Sequence, residues 1–141
     1  MVKSAWKFTL GSTVILNYGS RMLEEVKLPQ SNGVDVVMSP DSQWPLLLDT
    51  KNSSVKIRFS ILATYATDKE ARWAVLTHLA TRAAAGIEAL KIEVEGYTDR
   101  YATFSQCKAS EFEPYMHTHR GKPAQVRTYL LECSGLTLTS P

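Results

Sequence analysis

The order of the secondary-structure patterns is the feature that most constrains the fold of this chain. Strand-like runs come first, one helical pattern follows at about 67–85, and only strand-like runs come after it. An α/β enzyme core would need strands and helices in alternation, whereas a lone helix among strands indicates a helix packed against a sheet. The sequence therefore predicts a mainly β (α+β) fold, a β-sandwich or small barrel flanked by a single α-helix.

The clearest strand pattern covers 54–65, where Val55, Ile57 and Phe59 alternate with polar residues. A period of two predicts one buried face and one mostly solvated face. Further strands are predicted at 8–18, 34–38, 91–95, 100–107, 110–116 and 124–133. The end of the chain, 135–141, is interpreted as a short tail available to pair with a neighbour.

The helical pattern begins with a capping box, because Thr67 stands three residues before Glu70 and each side chain can satisfy a backbone N–H. Gly86 is placed to end the helix. Apolar residues recur at helical spacing, which predicts that their stripe, and Trp73 in particular, packs in the core. The residues of this stripe are Trp73, Val75, Leu76, Leu79, Ala80 and Ala83.

The region from about 19 to 53 has only weak local patterns. Pro40 and Pro45 exclude a central strand at 39–45, which predicts a loop there. Long segments of this kind are usually functional, disordered or part of an interface. Trp44 and the run 46–48 give this one an apolar anchor, which favours docking over disorder. We therefore expect a single domain, 1–141, with a long loop or arm at about 19–53.

Composition excludes several classes of protein. The chain has 141 residues, and its net charge of +2 is too near neutral to indicate a nucleic-acid-binding protein. Two cysteines, Cys107 and Cys133, are too few for a disulfide framework. Both fall in strand patterns and could be neighbours in a sheet. The favoured interpretation is two buried, reduced thiols. No signal peptide or membrane span is visible, so we expect synthesis in the cytoplasm and no membrane partner.

No strong catalytic or metal-binding motif is present. His117 and His119 have the only metal-like spacing, since residues two apart on a strand share a face, but a site needs further ligands from His78, Cys107, Glu111 or Glu113. A thiolate–imidazole pair of Cys107 with either histidine is not selected by the spacing. We therefore expect no enzymatic activity, no metal and no cofactor.

The second half of the chain resembles the N-terminal domain of phage distal tail proteins and, more widely, the tail-tube family. The resemblance rests first on a strand followed by a capped helix that begins Asp68-Lys69-Glu70-Ala71. It rests also on the strand Leu90-Lys91-Ile92-Glu93-Val94 and on the turn Gly96-Tyr97-Thr98-Asp99, which precedes an aromatic-led strand. The last strand, 124–133, resembles the closing strand of that domain. It covers about 54–135. The chain stops near Pro141, without the galectin-like C-terminal domain that many distal tail proteins carry, which leaves open a distal tail, tube or tail-tip role.

The resemblance implies a structural protein of the virion tail that assembles in the host cytoplasm into a ring, usually hexameric. Its implied partners are copies of itself and other tail-tube and tail-tip or baseplate hub proteins. DNA would pass through the ring without specific binding, which a near-neutral chain suits.

Ring formation by cyclic symmetry needs a different patch on each side of the subunit. We expect those patches in the arm and in a hairpin tip around 115–122. Trp6 and Trp44 lie in irregular segments, where a large aromatic is as often an interface anchor as a core residue. The candidate interface residues are Trp6, Trp44, Leu46, Leu47, Tyr115, His117, His119 and Arg120. One alternative is a small β-sandwich domain that binds a ligand or metal through the His117/His119 loop. Another is a non-viral secretion-tube component of similar architecture.

Overall fold

The computed structural model describes residues 2–38, 40, 44 and 46–141. It contains nine strands and one helix in this part of the chain, which confirms the mainly β fold with a single helix. No helix among these residues is long and apolar enough to cross a membrane. The elements are β1 (Val2–Lys3), β2 (Trp6–Leu10), β3 (Thr13–Leu16), β4 (Arg21–Met22), β5 (Gln30–Val37), β6 (Leu46–Thr64), α1 (Asp68–Ala84), β7 (Glu88–Val94), β8 (Tyr101–His119) and β9 (Lys122–Thr139).

The antiparallel strands follow the order β1-β4-β6-β9-β8-β7-β2-β3, with β5 added to β6. The first strand of this order, β1, continues directly into β2, the last strand but one, through Ser4 and Ala5. The Ser4 N–H donates to the Ser20 carbonyl, extending the β1–β4 pairing, while the Ala5 carbonyl accepts from the Glu95 N–H, extending β2 towards β7; both bonds measure 2.8 Å. The pairings therefore form a closed circuit, which makes the fold a small barrel.

The barrel interior is filled by the inward faces of the strands. Val55, Ile57, Phe59 and Ile61 are buried, as the alternation in β6 predicts. A chain of aromatic contacts crosses this core, each pair with ring centroids 4.8–6.0 Å apart. In order, its members are Trp6, Phe8, Phe59, Tyr129 and Phe112.

Helix α1 packs on β8 and β9. Thr67 caps it as predicted, with its side chain accepting the Glu70 N–H at 3.2 Å. The prediction that the apolar stripe packs in the core is wrong, because Trp73 is 69% exposed and Leu76 56% exposed. The helix instead turns the opposite face to the sheet, so Ala71 is its one buried residue among those described.

Several predicted boundaries are also wrong. The strand predicted at 8–18 is the hairpin β2–β3, because Gly11 takes a φ of 61° and turns the chain. The strands predicted at 100–107 and 110–116 are one strand, β8, with a register shift between Ala109 and Glu111. The tail predicted at 135–141 is paired within the subunit, since β9 continues against β8 as far as Thr139.

The segment expected as a loop or arm at about 19–53 holds β4, β5 and the first part of β6. Of the loop predicted at 39–45, residues 39, 41–43 and 45 lie outside the described part. β5 pairs with 46–55 of β6, whereas β9 pairs with β6 only from Val55 onward. The two strands therefore leave the barrel as a hairpin, which we call the arm (residues 30–54).

Candidate functional site

The arm carries exposed apolar side chains on both of its faces. Val36 lies opposite Leu47, and these side chains are 59% and 64% exposed. Side chains alternate along a strand, so the neighbouring Leu46 and Leu48, which are also exposed, belong to the other face. A monomer rarely exposes contiguous apolar surface of this kind, so the arm has the character of an interaction surface.

Trp44 stands at the outer end of the arm and is 78% exposed. The predicted interface residues Trp44, Leu46 and Leu47 thus lie in one segment, the arm. The arm projects from the barrel beyond the point where Val55 pairs with Cys133. An exposed tryptophan supplies a large, rigid contact area, which suits it to anchor an interface.

Trp6 lies at the rim of the barrel and is half-buried. Its edge packs on Phe8, and its Nε1–H donates to Glu25 Oε1 at 3.2 Å. It lines an apolar groove of about 320 Å³ that also includes Leu28, Val55, Leu136 and Leu138. Trp6 therefore packs partly against the core and lines a surface groove near the base of the arm, and its role as an interface anchor stays a prediction.

The other predicted residues lie at the tip of the β8–β9 hairpin. Tyr115 and His117 face Val126 and Ala124 across the pair, and Arg120 and Gly121 make the turn with φ angles of 51° and 75°. Along β9 the arm departs near Cys133 and the tip begins at Lys122, so the two groups of predicted residues lie at opposite ends of the strand.

The tip forms one wall of a basic cleft of about 470 Å³, which the sequence did not predict. The cleft is lined by Val2, Lys3, Arg21, His119 and Arg120. Partial desolvation, followed by the positive charges of Arg120 and Arg21 and by His117, lowers the pKa of His119. Lys3 and Arg21 lie opposite each other on the paired strands β1 and β4, far from His119 in sequence, so only the tertiary fold brings them beside it.

His117 and His119 are close enough to affect each other electrostatically. Within the described residues, however, no group of three or more His, Cys, Asp or Glu side chains is placed to hold a metal ion. Two imidazoles leave a tetrahedral zinc site without its remaining ligands. The geometry thus favours the tip as a surface over the alternative of a metal site.

The exposed face of α1 is a second apolar surface that sequence analysis assigned to the core. At 100° per residue, Trp73, Leu76, Ala80 and Ala83 point away from Ala71, His78 and Arg82, which face the sheet. We call these four residues, together with Leu79, the helix stripe. The periodicity was visible in the sequence, but periodicity does not show which face meets the sheet.

A polar layer separates α1 from the barrel. The Tyr65 hydroxyl donates to Gln125 Oε1 at 3.2 Å. Arg82 Nη1, Gln125 Nε2 and Arg127 Nε are buried and make no hydrogen bond within the described part of the chain. Burial, then the charges of Arg127 and Arg82, lowers the pKa of His78. The inward face of α1 therefore brings His78 and Arg82 close to Arg127 of β9.

Solved structures of phage-like particles contain chains with this fold. A chain of the native gene transfer agent virion matches with a TM-score of 0.56 at 14% identity, over 96% of each chain. A chain of the sheath–tube complex of the extracellular contractile injection system PVC matches with a TM-score of 0.54, over 96% of this chain and 88% of that chain. A chain of the sheath/tube terminator of the same system matches with a TM-score of 0.52, over 98% of this chain and 95% of that chain. Both structures show the extended state, and both chains are 9% identical to this one. No protein-family profile matches the sequence, and no curated protein does.

At these identities the likeness establishes a shared fold. It confirms the tail-tube-like architecture that the resemblance implied. The likeness extends over nearly the whole chain, whereas the sequence resemblance covered only about 54–135.

Proposed function

We propose that this chain is a structural subunit of a phage-like tail, a distal tail, tail-tip or tube protein, and that it assembles into a ring around the DNA channel. The ring is expected to be a hexamer of this chain that stacks on other tail-tube and hub proteins. The subunit has no catalytic role in this proposal. Assembly takes place in the host cytoplasm, and the product is part of the virion.

The observation that carries the proposal is the apolar arm. Val36 and Leu47 on one face, and Leu48 on the other, are exposed in the isolated subunit. Exposed apolar surface on both faces of a two-stranded hairpin is stabilised when both faces are covered, and an isolated hairpin is marginal in water. The shared fold supports the same role, because the matching chains come from a virion and from tube complexes.

The helix stripe supplies the second patch that a ring requires. Cyclic assembly uses a heterologous interface, in which one patch of a subunit meets a different patch of the next. The arm and the helix stripe are two such patches: they belong to different elements, and both expose apolar side chains. Burying them against neighbouring copies would remove Trp73 and Leu47 from water.

The first test is the mass of the purified protein by light scattering, with negative-stain images of the same fraction. We expect a species of about 94 kDa, six copies of the 15.7 kDa chain, with a central hole. A protein that stays monomeric at high concentration, and also in the presence of a tail-tube partner, would contradict the proposal.

A variant of the arm makes the test specific. Leu47→Gln is expected to abolish the ring while leaving the far-UV circular dichroism and the melting temperature of the subunit nearly unchanged, since the side chain is mostly exposed in the monomer. Val14→Gln, which also changes an exposed apolar side chain but lies on β3 outside both proposed patches, is the matched control. Normal assembly of Leu47→Gln would remove the arm from the interface.

A further inference from the structure

Cys107 and Cys133 are placed directly opposite each other on β8 and β9. Both side chains are buried, and their sulfur atoms are 2.6 Å apart. A disulfide bond is about 2.05 Å long and joins residues whose Cα atoms are about 4.4–6.8 Å apart, a range that includes directly opposed residues of antiparallel strands. Closing the bond would require a movement of only about 0.5 Å.

We propose that Cys107 and Cys133 are a modification site, at which a small disulfide converts the two thiols into a cross-strand disulfide within the subunit. The inference is independent of the proposed function, because it concerns one subunit and needs no neighbour.

An open cleft gives a small oxidant a route to the sulfurs. The cleft has a volume of about 430 Å³ and borders both cysteines. Its remaining lining is mostly polar or charged, which admits a water-soluble reagent, and includes Ser54, Lys56, Gln106, Lys108, Glu132 and Ser134. The oxidant class we name is therefore a short, polar dialkyl disulfide, such as hydroxyethyl disulfide.

The exchange occurs in two steps. The thiolate of one cysteine attacks one sulfur of the reagent, forms a mixed disulfide and releases one reagent thiol. The other cysteine then gives up its proton and attacks the protein sulfur of the mixed disulfide, which releases the second reagent thiol. In total, two cysteine thiols are oxidised and one reagent disulfide is reduced to two thiols.

The hydrogen bond to Cys107, together with burial, raises the pKa of Cys133 above its ordinary value. Because the thiolate is the attacking species, we expect the exchange to become faster as the pH rises.

The position of the pair gives the modification a structural consequence. Cys133 also lies opposite Val55, which is where β6 stops pairing with β9 and continues into the arm. A bond here would fasten β8 to β9 at the branch point of the sheet. The bond would persist in oxidising surroundings and not in a reducing compartment.

The test is to incubate the folded, reduced protein with hydroxyethyl disulfide and to count free thiols after rapid denaturation in acid. We expect the number of thiols to fall from two to zero, with a monomer band on a non-reducing gel and an intact mass lower by two hydrogen atoms. The oxidised protein should melt roughly 10 °C higher, because the bond closes a loop of about 26 residues.

Variants separate this outcome from other oxidation chemistry. Cys107→Ala and Cys133→Ala should each stop at a mixed disulfide on the remaining cysteine. Two thiols that persist in the folded protein, under conditions that oxidise the protein unfolded in urea, would overturn the proposal. Disulfide-linked dimers in place of the internal bond would also overturn it, and both results come from the wild-type chain.

Discussion

At the scale of single residues, His78 shows how the helix is held to the barrel. It lies on the face of α1 that meets β9, beside Arg82 of its own helix and Arg127 of the strand. Burial and these two positive charges all favour the neutral imidazole, so the pKa of His78 is lowered from its ordinary value of 6.5. Protonation would bring a third positive charge into the polar layer.

We therefore expect the free energy of unfolding to depend on pH through His78. Above pH 6.5 the imidazole is neutral in both states, and its contribution to stability is fully present. As the pH falls from 6.5 towards the lower pKa of the folded protein, the unfolded chain takes up the proton first, and stability is lost. Urea denaturation at about pH 7.5 and about pH 5.5 measures this loss.

His78→Asn is the matched control, because it keeps a polar side chain of similar size without the titration. The variant should lose less stability than the wild type over the same interval of pH. Equal losses in the two proteins would mean that other groups account for the pH dependence.

At the scale of elements, α1 and the arm share one property: each places apolar side chains away from the barrel. The helix stripe has a regular helical period and turns it outward, since the contact with β9 is made by Ala71, His78 and Arg82. A helix that shows its apolar face to solvent is typical of one that meets a second protein surface.

The helix stripe gives a prediction about assembly. Trp73→Ser should weaken the ring. The measured quantity is the concentration at which half of the subunits are assembled, and we expect it to rise at least tenfold, since a hot-spot tryptophan contributes about 2 kcal/mol or more. The melting temperature of the unassembled subunit should change little, because Trp73 is mostly exposed there.

Val75→Ser provides the comparison on the same helix, since Val75 is half-buried towards the barrel. This change should lower the stability of the subunit and affect assembly only through that loss. A large drop in subunit stability for Trp73→Ser, with unchanged assembly, would contradict an interface role for the helix stripe.

At the scale of the whole molecule, the two-residue strand β4 holds its part of the barrel together through short contacts on both sides, and it pairs with β1 through only Val2–Met22 and Lys3–Arg21. β4 pairs with β6 through only Arg21–Leu62 and Met22–Ile61. The Leu23 N–H adds a bond of 3.2 Å to the Ser60 carbonyl, and Lys27 bridges to Arg58. The Met22 side chain is completely buried at this seam, so apolar packing compensates for the small number of backbone hydrogen bonds.

Met22→Ala is expected to destabilise the whole subunit by about 2–5 kcal/mol, the usual cost of removing a large buried side chain. Chemical denaturation followed by tryptophan fluorescence measures the loss. Val34→Ala, on the exposed arm, is the control and should change stability by less than about 0.5 kcal/mol. A small effect of Met22→Ala would mean that the seam contributes little to the stability of the barrel.

The sequence by itself determined the parts of the fold that depend on local physics. The period-two pattern of 54–65 predicted the buried face of β6, since alternation follows directly from strand geometry. Thr67 and Glu70 placed the start of α1, because a capping hydrogen bond spans only three residues. The segment with Trp44 and Leu47 was predicted as a surface that docks, and its apolar side chains are exposed.

Only the tertiary structure decided the features that depend on contacts distant in sequence. The strands of the arm lack strong local signals, and each is fixed by pairing with the other. Which face of α1 meets the barrel was decided by packing against β8 and β9, strands that follow the helix in sequence and meet it only in the folded chain. The opposition of Cys107 and Cys133 likewise follows from the register of β8 and β9. Register is a property of the paired strands, and a shift of one residue would have turned every side chain to the other face.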